Sequence, residues 1–217
     1  MINDNNLSTN IKKYLTNDKL CAKIKVEIKG GVFMKGIKKA VMIIIKIVEI
    51  CHYVSAALMA ASGIISVASP QNLKYVMDVA DLMADPEVSA YGFEAMLANA
   101  TGQIDYIAYA VYAFGATAIF LFMALIFRNL GEVIRVSEEK TPFCEENVNR
   151  LTKIGIFSVA IPLVGLAFSI ILRIVLGPEV AEISLNQSGL MMGLVVFVLT
   201  SYFAHGVELE QDVDGLL

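Results

Sequence analysis

The sequence predicts an all-α integral membrane protein, a bundle of four membrane-spanning helices with both termini in the cytosol. Hydrophobic residues make up 57% of the chain and charged residues 18%, whereas average soluble domains contain about 45–50% and about 25%. The apolar residues are concentrated in stretches that approach the length needed to cross a bilayer core, about 20 residues of α-helix. Lysine and arginine are alternately frequent and rare in the segments between these stretches, and this bias predicts the orientation.

Four apolar stretches are predicted to span the membrane, at residues 50–68, 106–127, 154–172 and 189–207. The second contains no charged residue on any face, whereas an amphipathic helix of a soluble protein keeps one polar face. These stretches dominate residues 34–217, so the sequence predicts one four-span membrane domain there. Gly189 and Gly193 form a GxxxG pair, and Gly63 follows several alanines in the first span. Small residues at such spacing predict close helix packing.

Residues 1–33 differ from the rest of the chain, because they are rich in Lys and Asn and have weak periodicity. The stretch Lys-Gly-Gly-Val-Phe-Met, which ends at Met34, is what a bacterial ribosome-binding site and start codon would encode if translated. We therefore expect translation to begin at Met34, with residues 1–33 a basic upstream extension; a real disordered tail is the alternative. Without this extension the net charge changes from −4 to −7, and we expect no direct binding of nucleic acid.

Positive charges place both termini and the connection between the second and third spans in the cytosol, by the positive-inside rule. They are Lys35, Lys38, Lys39 and Lys46 before the first span, and Arg128, Arg135, Lys140 and Arg150 between the second and third. The two other connections carry only Lys74 and Arg173. The expected location is therefore the bacterial plasma membrane, with several passes through the lipid bilayer.

The connection between the first two spans, residues 69–105, carries six carboxylates and one lysine. We interpret it as a solvated acidic face. A cation site is the alternative, although oxygen-rich metal loops need closer and more regular ligand spacing. Tyr106, Tyr109 and Tyr112 follow at helical spacing, and we expect them to anchor the outer end of the second span at the membrane interface.

Residues able to carry out chemistry are sparse in the predicted spans. Lys46, Glu49 and His52 lie one turn apart in the first helix. They indicate either a proton relay or, as we prefer, a Lys46–Glu49 ion pair with His52 near the headgroups. The sequence contains no nucleotide-binding loop, HExxH or GxSxG motif, and its three cysteines lack ligand spacing. We expect no enzymatic activity, no cofactor and no metal site.

The segment KTPFCEENVNRLTK, which starts at Lys140, interrupts two strongly apolar stretches. Its pattern is typical of a helix start, with Thr141 as N-cap, Pro142 at the first helical position and acidic residues in the first turn. Glu146 and Arg150 have the spacing and order of a favourable i,i+4 ion pair. Since the second span continues as an amphipathic helix, we predict a cytosolic helical hairpin between spans two and three. Its exposed tip would be Ser-Glu-Glu-Lys, ending at Lys140.

Two signatures in the sequence carry a resemblance to a known family. The first, Pro-Phe-x-x-Glu-Asn-Val-x-Arg-Leu-x-x-Ile-Gly, is present as Pro142, Phe143, Glu146, Asn147, Val148, Arg150, Leu151, Ile154 and Gly155. The second, Gly-x-x-Leu-x-x-Glu-x-Asp, is present after the fourth span as Gly206, Leu209 and Asp214, with Asp212 in place of the glutamate. From about Met34 onward the chain resembles bacterial four-span membrane proteins catalogued as a domain of unknown function, DUF2975.

The resemblance implies no established activity, but it implies an association with very small helix-turn-helix regulators. On this hypothesis the protein is a membrane-anchored regulatory partner, and the two signature segments form one cytosolic docking surface. The candidate residues are Pro142, Phe143, Glu146, Asn147, Arg150, Leu151, Gly206, Leu209, Asp212 and Asp214. Three alternatives remain open: a purely structural role for these residues, a homo-oligomer, and a small transport or toxin-immunity bundle without a cytosolic partner.

Overall fold

The computed structural model describes residues 4–72, 87–98, 104–183 and 185–214, and the side chains among them from Gly36 to Val213. The elements are α1 (Asp4–Ala68), β1 (Glu87–Ala90), β2 (Phe93–Met96), α2 (Tyr106–Glu139), α3 (Glu145–Leu176) and α4 (Gln187–Asp214). Within these residues, four helical stretches are long and apolar enough to cross a membrane: Gly36–Ala68, Tyr106–Glu139, Glu145–Leu176 and Gln187–Val213. The predicted all-α architecture with four candidate spans is confirmed.

The chain divides into two compact units, Met1–Ile44 and Ile45–Leu217. The expected translation start at Met34 lies among residues whose side chains are outside the described part, so it stays a prediction. The contacts described below all belong to the second unit.

Neighbouring helices of this unit approach each other through small residues. A Cβ atom on Gly63 of α1 would lie 3.1 Å from the Ala113 Cβ of α2. A Cβ atom on Gly193 of α4 would lie 3.4 Å from the backbone oxygen of Gly155 in α3. The close packing predicted from both glycines is confirmed. Larger side chains fill the contact between α2 and α3, where the rings of Phe122 and Phe157 stack with centroids 5.7 Å apart.

The helical hairpin between the second and third spans is present, but its second helix, α3, starts later than predicted. Helix α3 begins at Glu145 with Cys144 in the N-cap position, and the Cys144 side chain makes no capping hydrogen bond. The prediction of Thr141 as N-cap is wrong, because a bend at Pro142 and Phe143 precedes the helix and the Thr141 hydroxyl donates to Glu210 instead. Glu145 and Glu146 do occupy the first turn, where the helix dipole favours negative charge.

A β-hairpin, not predicted from the sequence, lies between α1 and α2 in the chain. Strands β1 and β2 are antiparallel, with Val88 opposite Ala95 and Ala90 opposite Phe93. The turn residues Tyr91 and Gly92 both have positive φ, at 53° and 81°, as in the type I′ turn that suits a two-residue hairpin. The second position is often glycine in such turns, but a tyrosine at the first is uncommon. This departure concealed the hairpin from sequence reasoning.

The hairpin packs among the helices. Phe93 is only 1% exposed; its ring stacks on Tyr112 of α2 at 5.1 Å and lies 6.2 Å from Phe168 of α3. Tyr109 and Tyr112 are therefore buried, and the prediction that they anchor at the membrane interface is wrong. The ring of Tyr91 lies 6.0 Å from Phe120, which is about 21 Å along α2 from its start at 1.5 Å per residue.

Non-helical backbone that packs among membrane-spanning helices requires partners for its polar groups, since a bilayer core offers none. The two strands pair with each other, and the Met96 amide donates to the Val180 oxygen at 2.7 Å. The Asn186 side-chain amide donates to the Tyr91 oxygen at 2.8 Å. Segments before α2 and before α4 thus support each other inside the bundle.

Candidate functional site at the connection between α2 and α3

The two predicted signature segments meet at one end of the bundle, which we call the connection end (residues 137–151 and 203–213). The ring of Phe143 lies against Gly206, where an added Cβ would come within 2.9 Å of the Phe143 Cε1 atom. The rings of Phe143 and Phe203 lie 5.4 Å apart. Only a residue without a side chain leaves room for Phe143 here, so Gly206 shapes the contact between the α2–α3 connection and α4.

Asn147 closes the connection between α2 and α3. Its side chain is fully buried. Its amide nitrogen donates to the Ser137 hydroxyl at 2.9 Å and to the Pro142 oxygen at 3.0 Å. Ser137 is therefore partly buried at the end of α2, and the prediction that it belongs to an exposed tip is wrong. Asn147 holds the end of α2, the connection and the start of α3 together.

Arg150 links α3 to α2 through two carboxylates. Its guanidinium lies 3.0 Å from Glu146 and 3.4 Å from Glu132, so the predicted Glu146–Arg150 pair is confirmed. Glu146 also lies 3.1 Å from Lys140. The hydrogen bond and the negative charge of Glu146 raise the pKa of Lys140 above its usual value. These charged groups form a network within the protein.

The remaining candidate residues differ in their surroundings. Pro142 is exposed, while its backbone oxygen accepts from Asn147. Leu151 is half-buried. Leu209 and Asp212 are exposed on α4, and the side chain of Asp214 lies outside the described residues. The structure thus brings the aromatic, amide and glycine residues of the two signatures together, and Leu209 and Asp212 are exposed.

A groove of about 400 Å³ opens between the connection and α4, and we call it the docking groove. Its lining residues are Lys140, Thr141, Phe143, Cys144, Glu145, Val207, Glu210 and Gln211. The Thr141 hydroxyl donates to the Glu210 carboxylate at 3.1 Å across it. Of the lining residues, sequence reasoning named only Phe143 as a site residue. The spacing of Val207, Glu210 and Gln211 on one helix face, after Gly206, was the signal available for the others.

Exposed carboxylates are present on the segments that form the docking groove. Glu138, Glu139, Glu145 and Asp212 are exposed. Within the part of the chain that the structure describes, the ion pairs at this end are made by Glu132, Glu146 and Glu208, and not by these four residues. The groove is lined by the apolar side chains of Phe143 and Val207 and by the charged side chains of Glu145, Glu210 and Lys140.

The opposite side of the bundle has a second acidic region, where Glu87, Glu94, Glu179 and Glu182 line a cavity of about 260 Å³ beside the β-hairpin. Among the described residues, no group of three or more His, Cys, Asp or Glu side chains is arranged to hold a metal ion. In α1, Lys46 and Glu49 form the predicted ion pair at 3.0 Å.

Comparison with known families gives a match to the family that the two signatures resemble. The family model described as "Protein of unknown function (DUF2975)" matches residues 83–215. The chain belongs to this family. The matched residues of this DUF2975 protein include the β-hairpin, α2, α3 and both signatures. Comparisons with curated proteins and with solved structures gave no match.

Adding one methyl group at Gly206 tests the contact between the two signatures. We expect Gly206→Ala to displace the Phe143 ring and to lower the free energy of unfolding by about 1–3 kcal/mol, as overpacking does. Thermal unfolding of the purified protein in detergent measures the effect. Gly36→Ala is the control, because a Cβ there meets no atom of the described residues within 4 Å. An equal effect of both changes would contradict the role given to Gly206.

Proposed function

We propose that this DUF2975 protein is a membrane-anchored regulatory partner that docks a small basic cytosolic protein of the helix-turn-helix type. The observation that supports it is the convergence of both signature segments on one groove with an acidic rim. Phe143 and Val207, from separate segments, line this groove, and Gly206 lies against the Phe143 ring. On this proposal the four apolar helices serve to hold the docking groove at the membrane surface.

The distribution of positive charge supports a cytosolic position for the connection end. Arg128, Arg135, Lys140 and Arg150 lie in or beside it, and such residues concentrate in cytosolic segments near the ends of spans. The opposite side has Arg173 but carries the acidic cavity beside the β-hairpin. The docking groove would then face the compartment that contains DNA-binding proteins.

Charge complementarity supports a basic partner. Proteins that bind DNA carry clusters of Lys and Arg, because phosphate contacts dominate their affinity. Glu145 lines the groove, and Glu138, Glu139 and Asp212 are exposed on the segments that form it, so these carboxylates carry the opposite charge. An acidic surface of this kind would compete with DNA for the regulator, and the association would weaken as salt screens these exposed charges.

Charge reversal at the rim tests the proposal. A copy with a carboxyl-terminal affinity tag is crosslinked in cells, and mass spectrometry identifies what co-purifies. We expect a small DNA-binding protein crosslinked near Lys140, and at least about tenfold less of it with Glu145→Lys plus Asp212→Lys, a loss of about 1.4 kcal/mol. Protein abundance should hold, because both side chains are exposed.

The matched control is Glu94→Lys plus Glu182→Lys, which makes the same change in net charge at exposed positions on the opposite side. It should leave the recovery of the partner unchanged. Recovery of only copies of this chain and other membrane proteins would overturn the proposal. The same result would favour the second candidate function, a small transport or toxin-immunity bundle. The observation in its favour is the β-hairpin, whose non-helical backbone packs among the helices, as re-entrant segments and the irregular segments of transporters do.

A further inference from the structure

Two cations, which we call the boundary pair, lie directly outside the apolar stretches of the second and third spans. Arg128 follows the predicted span that ends at residue 127, and Lys153 precedes the one that begins at residue 154. Both side chains are exposed. Among the described residues, no acidic side chain forms an ion pair with either of them. The charges of the boundary pair are therefore not neutralised by a contact with another described residue.

An ion pair between α2 and α3 shows that these two cations are neighbours. Glu132 of α2 lies 3.4 Å from Arg150 of α3. Arg128 is one turn before Glu132, and Lys153 is about one turn after Arg150, so each cation shares a helix face with one member of the ion pair. Since α2 and α3 are antiparallel in the helical hairpin, both steps lead toward the predicted spans. The boundary pair thus lies at one level across the contact between the two helices.

The carboxylate one turn from the boundary pair is already engaged. Glu132 pairs with Arg135 as well as with Arg150. The other carboxylate of this ion-pair network, Glu146, lies 3.0 Å from Arg150 and 3.1 Å from Lys140. The network thus joins three cations to two carboxylates. It has no excess of negative charge that could balance the boundary pair.

Exposed apolar side chains continue from the boundary pair into the predicted spans. Leu121 lies two turns from Arg128 on the same face of α2, and Ile156 lies one turn from Lys153 on α3. Leu121 is 42% exposed and Ile156 is 51% exposed. A pair of cations with apolar side chains beside it, on the membrane side, matches the chemistry of a phospholipid, whose charged phosphate lies at the membrane boundary and whose acyl chains extend inward.

We infer that Arg128 and Lys153 bind the phosphate of an anionic phospholipid, with its acyl chains along Leu121 and Ile156. The guanidinium presents its N–H donors in a fork that fits two phosphate oxygens, and the ammonium adds a compact charge. Two like charges at one level repel each other, and an anion between them removes this repulsion. Basic residues beside the end of a span are attracted to anionic lipids. The site is separate from the docking groove, and the inference does not rest on the proposed function.

Counting the lipids that stay bound to the purified full chain tests the inference. The protein in a neutral detergent is titrated with phosphatidylglycerol, and native mass spectrometry measures the fraction that carries a lipid. We expect Arg128→Gln plus Lys153→Gln to bind this lipid at least about tenfold more weakly, since each basic residue adds to the attraction. Arg128→Lys plus Lys153→Arg keeps both charges and should bind nearly as tightly as the parent. Because both side chains are exposed, the unfolding temperatures should be equal.

Arg135→Gln plus Lys140→Gln is the matched control. It removes the same charge from exposed side chains at the same end of the bundle, and it leaves Glu132 and Glu146 paired with Arg150. This variant should bind phosphatidylglycerol like the parent. An equal loss in both charge-removing variants would overturn the inference, because overall charge and not the boundary pair would then attract the lipid. Unchanged binding in both would overturn it as well.

Two further ligands separate the possible sources of the phosphate. Phosphatidylcholine, whose phosphate is balanced by its own cation, should bind the parent protein more weakly than phosphatidylglycerol. Equal binding of the two lipids would show that acyl chains alone hold them, against the inference. Excess inorganic phosphate, compared with chloride at the same ionic strength, should leave bound phosphatidylglycerol in place. Its displacement would assign the boundary pair to a free anion and would contradict the lipid assignment.

Discussion

Replacing Asn147 with Asp is expected to destabilise the protein by at least about 3 kcal/mol, a typical cost for a buried and unpaired charge. The Asn147 side chain is fully buried and donates two hydrogen bonds, to Ser137 and to the Pro142 oxygen. A carboxylate cannot donate, and it would place its charge against that carbonyl oxygen. Thermal or denaturant unfolding of the purified protein in detergent measures the loss.

Asn149→Asp is the matched control, because this asparagine lies two residues further along α3 and is exposed. We expect it to be close to neutral. The penalty of Asn147→Asp should also depend on pH. Burial raises the pKa of the new carboxyl above its unfolded value of about 3.9. Its destabilisation is therefore smallest below that value and grows as the pH rises through the folded pKa. Equal stability of the two variants at neutral pH would contradict the role of Asn147.

Phe93→Ala is expected to cost about 3–5 kcal/mol, the usual range for removing a buried aromatic ring. Phe93 is 1% exposed and contacts Tyr112 and Phe168, and its ring lies beside Gly115, where an added Cβ would be 2.7 Å from Cε1. Loss of the ring would leave a cavity between the hairpin, α2 and α3. The unfolding temperature in detergent should fall, and the amides of β1 and β2 should exchange hydrogen faster.

Met96→Ala is the control for this change, since Met96 lies in the same strand and is 38% exposed. Its effect should be a small fraction of that of Phe93→Ala. If the two variants unfolded together, the hairpin would contribute little to the core. The position of the β-hairpin inside the bundle would then lose its main energetic support.

The helices could be predicted from the sequence because membrane insertion depends on length and apolar composition, which are local properties. The predicted span at residues 106–127 lies within α2, and its amphipathic continuation forms the rest of that helix. The cap of α3 was predicted wrongly because Thr141 bonds Glu210, a residue of α4. Local capping rules cannot anticipate a hydrogen bond to a distant helix.

In the candidate site, too, some residues could be predicted from the sequence, and others are identified only by the tertiary structure. The signatures directed attention to Phe143, Asn147 and Gly206, and these residues do pack at the connection end. The docking groove includes Thr141 and Glu210, which no spacing rule marks as neighbours. The buried donor role of Asn147 likewise depends on the end of α2 meeting the start of α3.

Length, composition and glycine spacing were sufficient to predict four packed membrane helices, since each of these features acts within one segment or between adjacent surfaces. The entry of the β-hairpin among the helices depended on the fit of Phe93 against Tyr112 and Phe168. The formation of one groove from two signatures depended on α4 bringing Gly206 to Phe143. Both contacts join segments far apart in the chain, and the packing of the whole bundle determines which of them meet.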